Sequence, residues 1–182
     1  MTTDNDDYQW SRRDAVLQRA QLSVLYHRKR ERAFDLADRF SKAVAVIGGS
    51  AAFATVGGPL TVRIAAATIA VTSALSLVFG FSERGRKHSE LAQKFCLLEA
   101  AITQKGEHDF SESDVDHWCA EALRIEATEP PALSALVAIC QNELAMARSQ
   151  PAAVVPIALW RRALAPLFDI SVGSTPERQS TG

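Results

Sequence analysis

The sequence predicts an all-helical membrane protein, with a two-helix transmembrane hairpin and a cytoplasmic helical bundle. Between Lys42 and Glu83 the chain carries one charged side chain, Arg63. The uncharged run on each side of Arg63 is about as long as a helix needs to cross a hydrocarbon core of roughly 30 Å. The period-two alternation of polar and apolar residues that indicates strands does not occur in the sequence.

The first third of the chain is predicted to form one long helix. Its first residues are acidic and polar, and we expect residues 1–11 to be disordered. From Ser11 to Ile47 there is neither glycine nor proline. Residues 12–42 should therefore form a cytoplasmic helix that continues into the membrane.

Residues 43–82 are predicted to form the transmembrane hairpin, with a turn near residues 57–63. The turn residues are Gly57, Gly58, Pro59 and Arg63, because glycine tolerates unusual backbone angles and proline ends helices. Basic residues cluster at the open end of the hairpin, and Lys and Arg favour the cytoplasmic side. Both termini are therefore predicted to be cytoplasmic.

A buried hairpin inside a soluble helical protein is the rival interpretation. The first arm, from Ala43 to Val56, is short, and short apolar stretches are often buried core helices. Against this, neither arm shows the charged stripe of a soluble amphipathic helix. We therefore favour insertion into a membrane.

Residues 83–149 are predicted to form cytoplasmic helices. Apolar residues recur at helical spacing in three segments, and Ser111 with Asp114 resembles a capping box that begins the second one. The predicted buried faces are Leu91, Phe95, Leu98 and Ile102; Val115, Trp118, Ala122 and Ile125; and Leu133, Leu136, Val137, Cys140 and Leu144.

Residues 150–170 are predicted to form an amphipathic C-terminal segment, and residues 171–182 a disordered tail. The apolar stripe of the segment consists of Ile157, Trp160, Leu164 and Leu167, with two arginines beside it. Such a segment suits a membrane surface and suits packing on the cytoplasmic bundle equally well.

Small and hydroxylated residues form one narrow stripe on the second arm: Thr61, Ala65, Thr68, Thr72 and Ser76. Hydroxyl groups in a membrane helix cost little when they bond back to carbonyls of the same helix. The stripe could allow close helix packing, or it could line a pore, where hydroxyls replace part of the hydration of an ion. Both interpretations predict a homo-oligomer.

A basic cluster precedes the hairpin, formed by Arg28, Lys29, Arg30 and Arg32. Its first interpretation is contact with anionic lipid headgroups. The second is a binding site for a nucleotide or nucleic-acid signal. Phosphate-binding, nucleophile-elbow and metalloprotease motifs do not occur in the sequence, so no enzyme, cofactor or metal site is predicted.

Several segments together resemble the SLATT family of two-span membrane effectors. They are Tyr-His-Arg-x-Arg-x-Arg at 26–32, Phe-Ser-Glu-Arg at 81–84, His-x-Glu-Leu-Ala-x-x-Phe-x-x-Leu-Glu at 88–99, Arg-Ile-Glu-Ala-x-Glu-Pro-Pro-x-Leu at 124–133 and Asn-Glu-Leu-Ala at 142–145. Relatives show His before Asn-Glu-Leu where this chain has Gln141. The resemblance covers about Ala15 to Arg148.

The resemblance implies an effector of a bacterial antiviral defence system, located in the inner membrane. A separate sensor partner, of the nucleotide-signal synthase or reverse-transcriptase type, would trigger assembly and loss of membrane integrity. The alternatives are a non-conducting membrane adaptor that docks a cytoplasmic partner and a soluble helical interaction module.

Overall fold

The structure, a computed structural model, describes residues 2–49, 58–107, 109–150 and 154–170. Within these ranges the chain is all helical and contains no strand, as the sequence predicts. Six helices are described: α1 Thr2–Gly49, α2 Pro59–Phe79, α3 Phe81–Gln104, α4 Glu112–Glu126, α5 Ser134–Ala147 and α6 Leu159–Leu164. The chain divides into two compact units, one made of Met1–His27 with Leu91–Gly182 and the other of Arg28–Glu90.

The N-terminus of α1 corrects one expectation. Residues 1–11 were expected to be disordered, but α1 begins at Thr2. Residues 2–11 contain neither glycine nor proline, so the sequence offers nothing there that would interrupt a helix. The predicted tail, 171–182, lies outside the residues that the structure describes.

The first core of the first unit joins α1, α3 and α4. The predicted faces of α3 and α4 are fully confirmed, because all eight of their residues are buried. Val16 and Ala20 supply the face of α1 that covers them. The core consists of Val16, Ala20, Leu91, Phe95, Leu98, Ile102, Val115, Trp118, Ala122 and Ile125.

The second core of the same unit is built on α5. Leu136 and Cys140 are buried as predicted, and Leu133 and Val137 pack against the cluster from its edge. Two residues from elsewhere complete it. Tyr26 comes from α1 and Ala165 follows α6.

A capping box begins α4, as the sequence predicts. The backbone N–H of Asp114 donates to Oγ of Ser111 at 3.2 Å, and the backbone N–H of Ser111 donates to Oδ2 of Asp114 at 2.9 Å. The two reciprocal bonds satisfy backbone donors that the first turn of a helix leaves free.

Polar contacts fasten α1 to the loop between α4 and α5. The backbone N–H of Leu133 donates to the hydroxyl oxygen of Tyr26 at 3.1 Å. Nε2 of His27 lies 3.0 Å from Oε1 of Glu129, and the His27 ring, which is 1% exposed, stacks on Phe95. An apolar helix face alone can slide or rotate, whereas these directional bonds fix one register.

Residues 154–170, which we call the strap, are tied to both ends of α5. The side-chain amide of Asn142 donates to the carbonyl of Val155 at 2.6 Å and accepts from its N–H at 2.8 Å. Oδ1 of Asp169 accepts from the backbone N–H of Ser134 at 3.2 Å and from its hydroxyl at 3.1 Å. Asp169 thus supplies the cap that Leu133, at the N-cap position of α5, has no side-chain group to provide.

The capping box predicts a specific dependence of stability on pH. Hydrogen bonds from the backbone and side chain of Ser111 and from Lys105 lower the pKa of Asp114 from 3.8 to about 2. Because the folded pKa is the lower one, the stabilisation is complete above about pH 5 and disappears as the pH falls through about 2.

Replacing Asp114 with Asn should therefore destabilise the chain near neutral pH, and the difference from wild type should shrink as the pH falls. Thermal unfolding of the detergent-solubilised chain, followed by circular dichroism across this pH range, measures the difference. A gap that stays constant down to pH about 2 would contradict the assignment.

Candidate membrane hairpin

Helix α2 presents an uncovered apolar surface. Among the described residues, one helical stretch, Val62–Gln104, is long and apolar enough to cross a membrane. Its apolar window has a mean hydropathy of 2.0, and none of that window is buried. Leu77 and Val78 are 86% and 77% exposed. The 21 residues of α2 are about 31 Å long at 1.5 Å per residue.

The last turns of α1 also expose large apolar side chains. Leu36, Phe40, Val46 and Ile47 are all more than 60% exposed. The first arm of the predicted hairpin continues from Ser50 to Val56, and these residues lie outside the described part of the chain.

Three contacts within the second unit show that α1 runs antiparallel to α2 and α3. Nε of Arg30 lies 3.3 Å from Nε2 of His88, and Phe34 stacks on Phe81 with 6.5 Å between ring centroids. Further along α1, Oγ of Ser41 lies 3.4 Å from Oγ of Ser76 on α2. As the residue number increases along α1, the number of the residue that it contacts decreases, which is the pattern of antiparallel helices.

The start of α2 corrects the predicted turn near residues 57–63. Gly58 is the N-cap residue and Pro59 is the first helical residue, a position where proline costs nothing because its missing N–H would be unpaired anyway. Arg63 consequently lies inside α2 and not in a turn. Gly58 has φ −65°, so it does not use the freedom of glycine. Gly57 lies outside the described residues.

Gly80 ends α2, a feature that the sequence interpretation missed. Its φ of 56° and ψ of 47° are left-handed, and its N–H donates to the carbonyl of Ser76 at 3.0 Å. The second arm was predicted to continue to Ser82, whereas α3 already begins at Phe81. A glycine at the end of an apolar run is the usual signal for such a C-terminal cap, and it was available in the sequence.

Four side chains lie together where α1 meets the start of α3, and we call this cluster the hairpin base: Arg30, Phe34, Phe81 and His88. Phe34 is 4% exposed and contacts three of its members. Its ring stacks on Phe81 and on His88, with 5.7 Å between the centroids of Phe34 and His88, and the Arg30 guanidinium lies 4.8 Å above it. Nε of Arg30 donates to Nε2 of His88 at 3.3 Å.

A close helix approach adjoins the hairpin base. A Cβ added to Gly85 would lie 3.1 Å from Oδ1 of Asp35 and 3.5 Å from Cβ of Phe34, so glycine permits this separation. One turn earlier on α1, burial alone would raise the pKa of Glu31, but hydrogen bonds from Ser89 and Arg28 outweigh it and lower that pKa. The carboxylate of Glu31 therefore stays ionised in this packed region.

The predicted stripe of α2 divides between two environments. Thr68 is exposed, and its hydroxyl donates to the carbonyl of Ile64 at 2.9 Å. Thr72 is half-buried and donates to the carbonyl of Thr68 at 2.7 Å. These bonds within the helix are the ones that the sequence analysis expected. Ser76 is half-buried and contacts α1 through Ser41. Thr61 and Ala65 lie in the first turns of α2.

The basic cluster is not one surface in the structure. Arg30 is 8% exposed and belongs to the hairpin base, so it is not available to lipid or to a signal. Arg28 and Arg32 are exposed, and Arg28 forms an ion pair with Glu31 at 2.9 Å. Lys29 is half-buried. Successive residues on a helix point about 100° apart, which is why a run in sequence does not make a patch.

No group of three or more His, Cys, Asp or Glu side chains within the described ranges is placed to hold a metal ion. Comparison with known proteins found no matching family model, no matching curated protein and no matching solved structure.

The left-handed conformation of Gly80 predicts a glycine-specific effect. Replacing Gly80 with Ala should destabilise the chain by about 1–2 kcal/mol, because a Cβ in this backbone conformation meets the following carbonyl. Gly58 is the matched control, since its φ is negative and a Cβ added there meets nothing within 4 Å. Thermal unfolding in detergent should separate the two variants, and equal effects would contradict this account.

Proposed function

We propose that this chain is a membrane effector of a bacterial antiviral defence system, anchored by a two-helix transmembrane hairpin. On a signal from a partner sensor it would oligomerise and form a pore that disrupts the inner membrane. The observation that carries the membrane anchoring is the apolar window of α2, in which no residue is buried.

The exposure of α2 supports a bilayer over a soluble core. A core helix of a soluble protein can be equally apolar, but the rest of the protein buries it, and here no residue of the window is buried. Exposed apolar surface in water costs about 25 cal/mol per Å². A helix satisfies its own backbone hydrogen bonds, so lipid can cover such a surface without cost to the main chain.

The antiparallel contacts from Arg30–His88 to Ser41–Ser76 support the hairpin itself. Lys42 is consistent with a water boundary at this end of the span, because its ammonium group reaches back to Oδ2 of Asp38 at 2.5 Å, toward the charged end of α1. A lysine near the end of a span directs its charge to water in this way.

The effector role rests on the resemblance to the SLATT family. That resemblance implies a separate sensor of the nucleotide-signal synthase or reverse-transcriptase type. Exposed Arg28 and Arg32 are the members of the basic cluster that could contact lipid headgroups or a nucleotide signal. Contact with nucleic acid is the less favoured of these interpretations.

Of the three stripe residues whose side chains are described, Thr68 is the best placed to face water or a neighbouring copy in the proposed pore. It is exposed, whereas Thr72 and Ser76 are half-buried. The bulky residues Ile64, Val71 and Leu75 are also exposed and suit lipid.

A non-conducting membrane adaptor is the second candidate, and one observation favours it. The hydroxyls of Thr68 and Thr72 bond to carbonyls of α2, and Ser76 contacts Ser41. The stripe could thus serve the packing of one hairpin and need no pore.

The proposed orientation predicts where a native thiol can be labelled. Cys96 on α3 is exposed, so a membrane-impermeant maleimide should label it in inverted inner-membrane vesicles and not in intact spheroplasts. The variant Cys96→Ser controls for the other cysteines. Labelling of Cys96 in intact spheroplasts would overturn the cytoplasmic assignment.

The pore proposal predicts that one hydroxyl on α2 controls conduction. Expression of the wild type with its trigger should depolarise bacterial cells, measured with a voltage-sensitive dye. Thr68→Leu should abolish the effect because it removes the exposed hydroxyl, whereas Val71→Leu on the bulky face should leave it intact. Full depolarisation by correctly inserted Thr68→Leu would remove Thr68 from the pore, and no depolarisation by any form would favour the adaptor.

A further inference from the structure

We propose that the strap carries a second membrane-contacting surface, which binds the headgroup region of an anionic bilayer. This surface consists of Leu159, Trp160, Leu164, Leu167 and Phe168 with the adjacent Arg161 and Arg162, and we call it the strap face. The inference rests on the proposed function in one respect, namely that α2 holds the chain at a bilayer.

The strap face consists of side chains of the strap that stay exposed while other strap residues pack on α5. Ala165 is fully buried in the second core, and Ile157 and Ile170 pack against that core. The sequence had placed Trp160 on the same face as Ile157, but Trp160 is 57% exposed. Packing on the bundle and contact with a membrane, two uses that the sequence left open, therefore involve different residues of the strap.

The exposed side of the strap is strongly apolar. Leu159 is 81% exposed and Phe168 is 59% exposed, while Leu164 and Leu167 are 43% and 38% exposed. Five large apolar side chains, each more than a third exposed, lie within ten residues of the strap, whereas exposed apolar residues scattered singly would need no explanation.

The charges beside this surface select an anionic partner. The Arg161 guanidinium lies 5.2 Å from the ring centroid of Trp160, and Arg162 is exposed. The segment from Ala158 to Phe168 contains no acidic residue. Tryptophan among aliphatic residues with adjacent arginines is the composition of helices that lie in the membrane interface, where the ring sits at headgroup level.

Other covers for the strap face are less suitable. A stable interface with another protein copy takes about 20–30 residues from each side, and the strap face has seven. A bilayer surface requires no such minimum from one patch, because α2 already supplies the attachment.

Tryptophan fluorescence can test this contact in the full chain. The sequence contains three tryptophans, and Trp118 is buried. The variant Trp10→Phe keeps Trp118 and Trp160, and the variant Trp10→Phe/Trp160→Phe keeps only the buried Trp118. Both would be reconstituted into vesicles of phosphatidylcholine with phosphatidylglycerol, brominated either near the headgroup end or near the methyl end of the acyl chains.

We expect the emission that Trp160 contributes to be quenched by headgroup-end bromines and much less by methyl-end bromines, because an interfacial helix sinks only about 5–10 Å. The control with Trp118 alone should be unaffected. Arg161→Gln/Arg162→Gln in the Trp10→Phe background should weaken the quenching, since each basic residue near an anionic surface contributes about fivefold to apparent affinity.

Two outcomes would overturn the inference, and flotation of the same vesicles separates them. If the chain floats with the vesicles but Trp160 is not quenched, the strap face does not touch lipid, and the α2 anchor stands. If the chain does not float, the membrane anchor itself fails, and the strap proposal fails with it. Quenching unchanged by loss of both arginines would overturn the preference for anionic lipid alone.

Discussion

The hydrophobic surface of α2 constrains every other part of the second unit. Its backbone bonds are satisfied inside the helix, and the hydroxyls of Thr68 and Thr72 donate to carbonyls of the same helix. Apart from Arg63 near its start, the described exposed side chains of α2 are apolar or hydroxylated, a composition that a lipid environment tolerates. The polar contact between Ser76 and Ser41 of α1 lies toward the charged end.

The segments that carry the SLATT resemblance supply residues to the joints of the structure. Tyr26 and His27 fasten α1 to the loop before α5, Arg30 and His88 form the hairpin base, and Asn142 holds the strap. These are buried or half-buried polar groups with specific partners, and leaving such a partner unpaired costs about 1–3 kcal/mol. Structural contacts alone therefore explain why these residue types occur at these positions, without reference to any signal or substrate.

The parts of the fold that follow one-dimensional periodicity could be predicted from the sequence. The faces of α3 and α4 are buried residue by residue as the spacing indicates, and the Ser111–Asp114 capping box forms. The sequence did not predict the role of a residue whose contacts come from a segment distant in the chain. Arg30 belongs to a basic run, yet it packs on an aromatic ring that a distant segment supplies. Local signals at Gly80 and Pro59 existed, but the apolar run around them concealed where the helix begins and ends.

The ties between the strap and α5 have a consequence for the turnover of the protein. Asp169 caps the first turn of α5, Asn142 pairs with Val155 near its last turn, and Ala165 covers its apolar side. A protease that digested residues 154–170 would remove all three supports at once. Helix α5 would then lose its N-terminal cap and expose its buried apolar residues at the same time. Limited proteolysis at the strap would therefore destabilise the first unit and make it susceptible to further degradation.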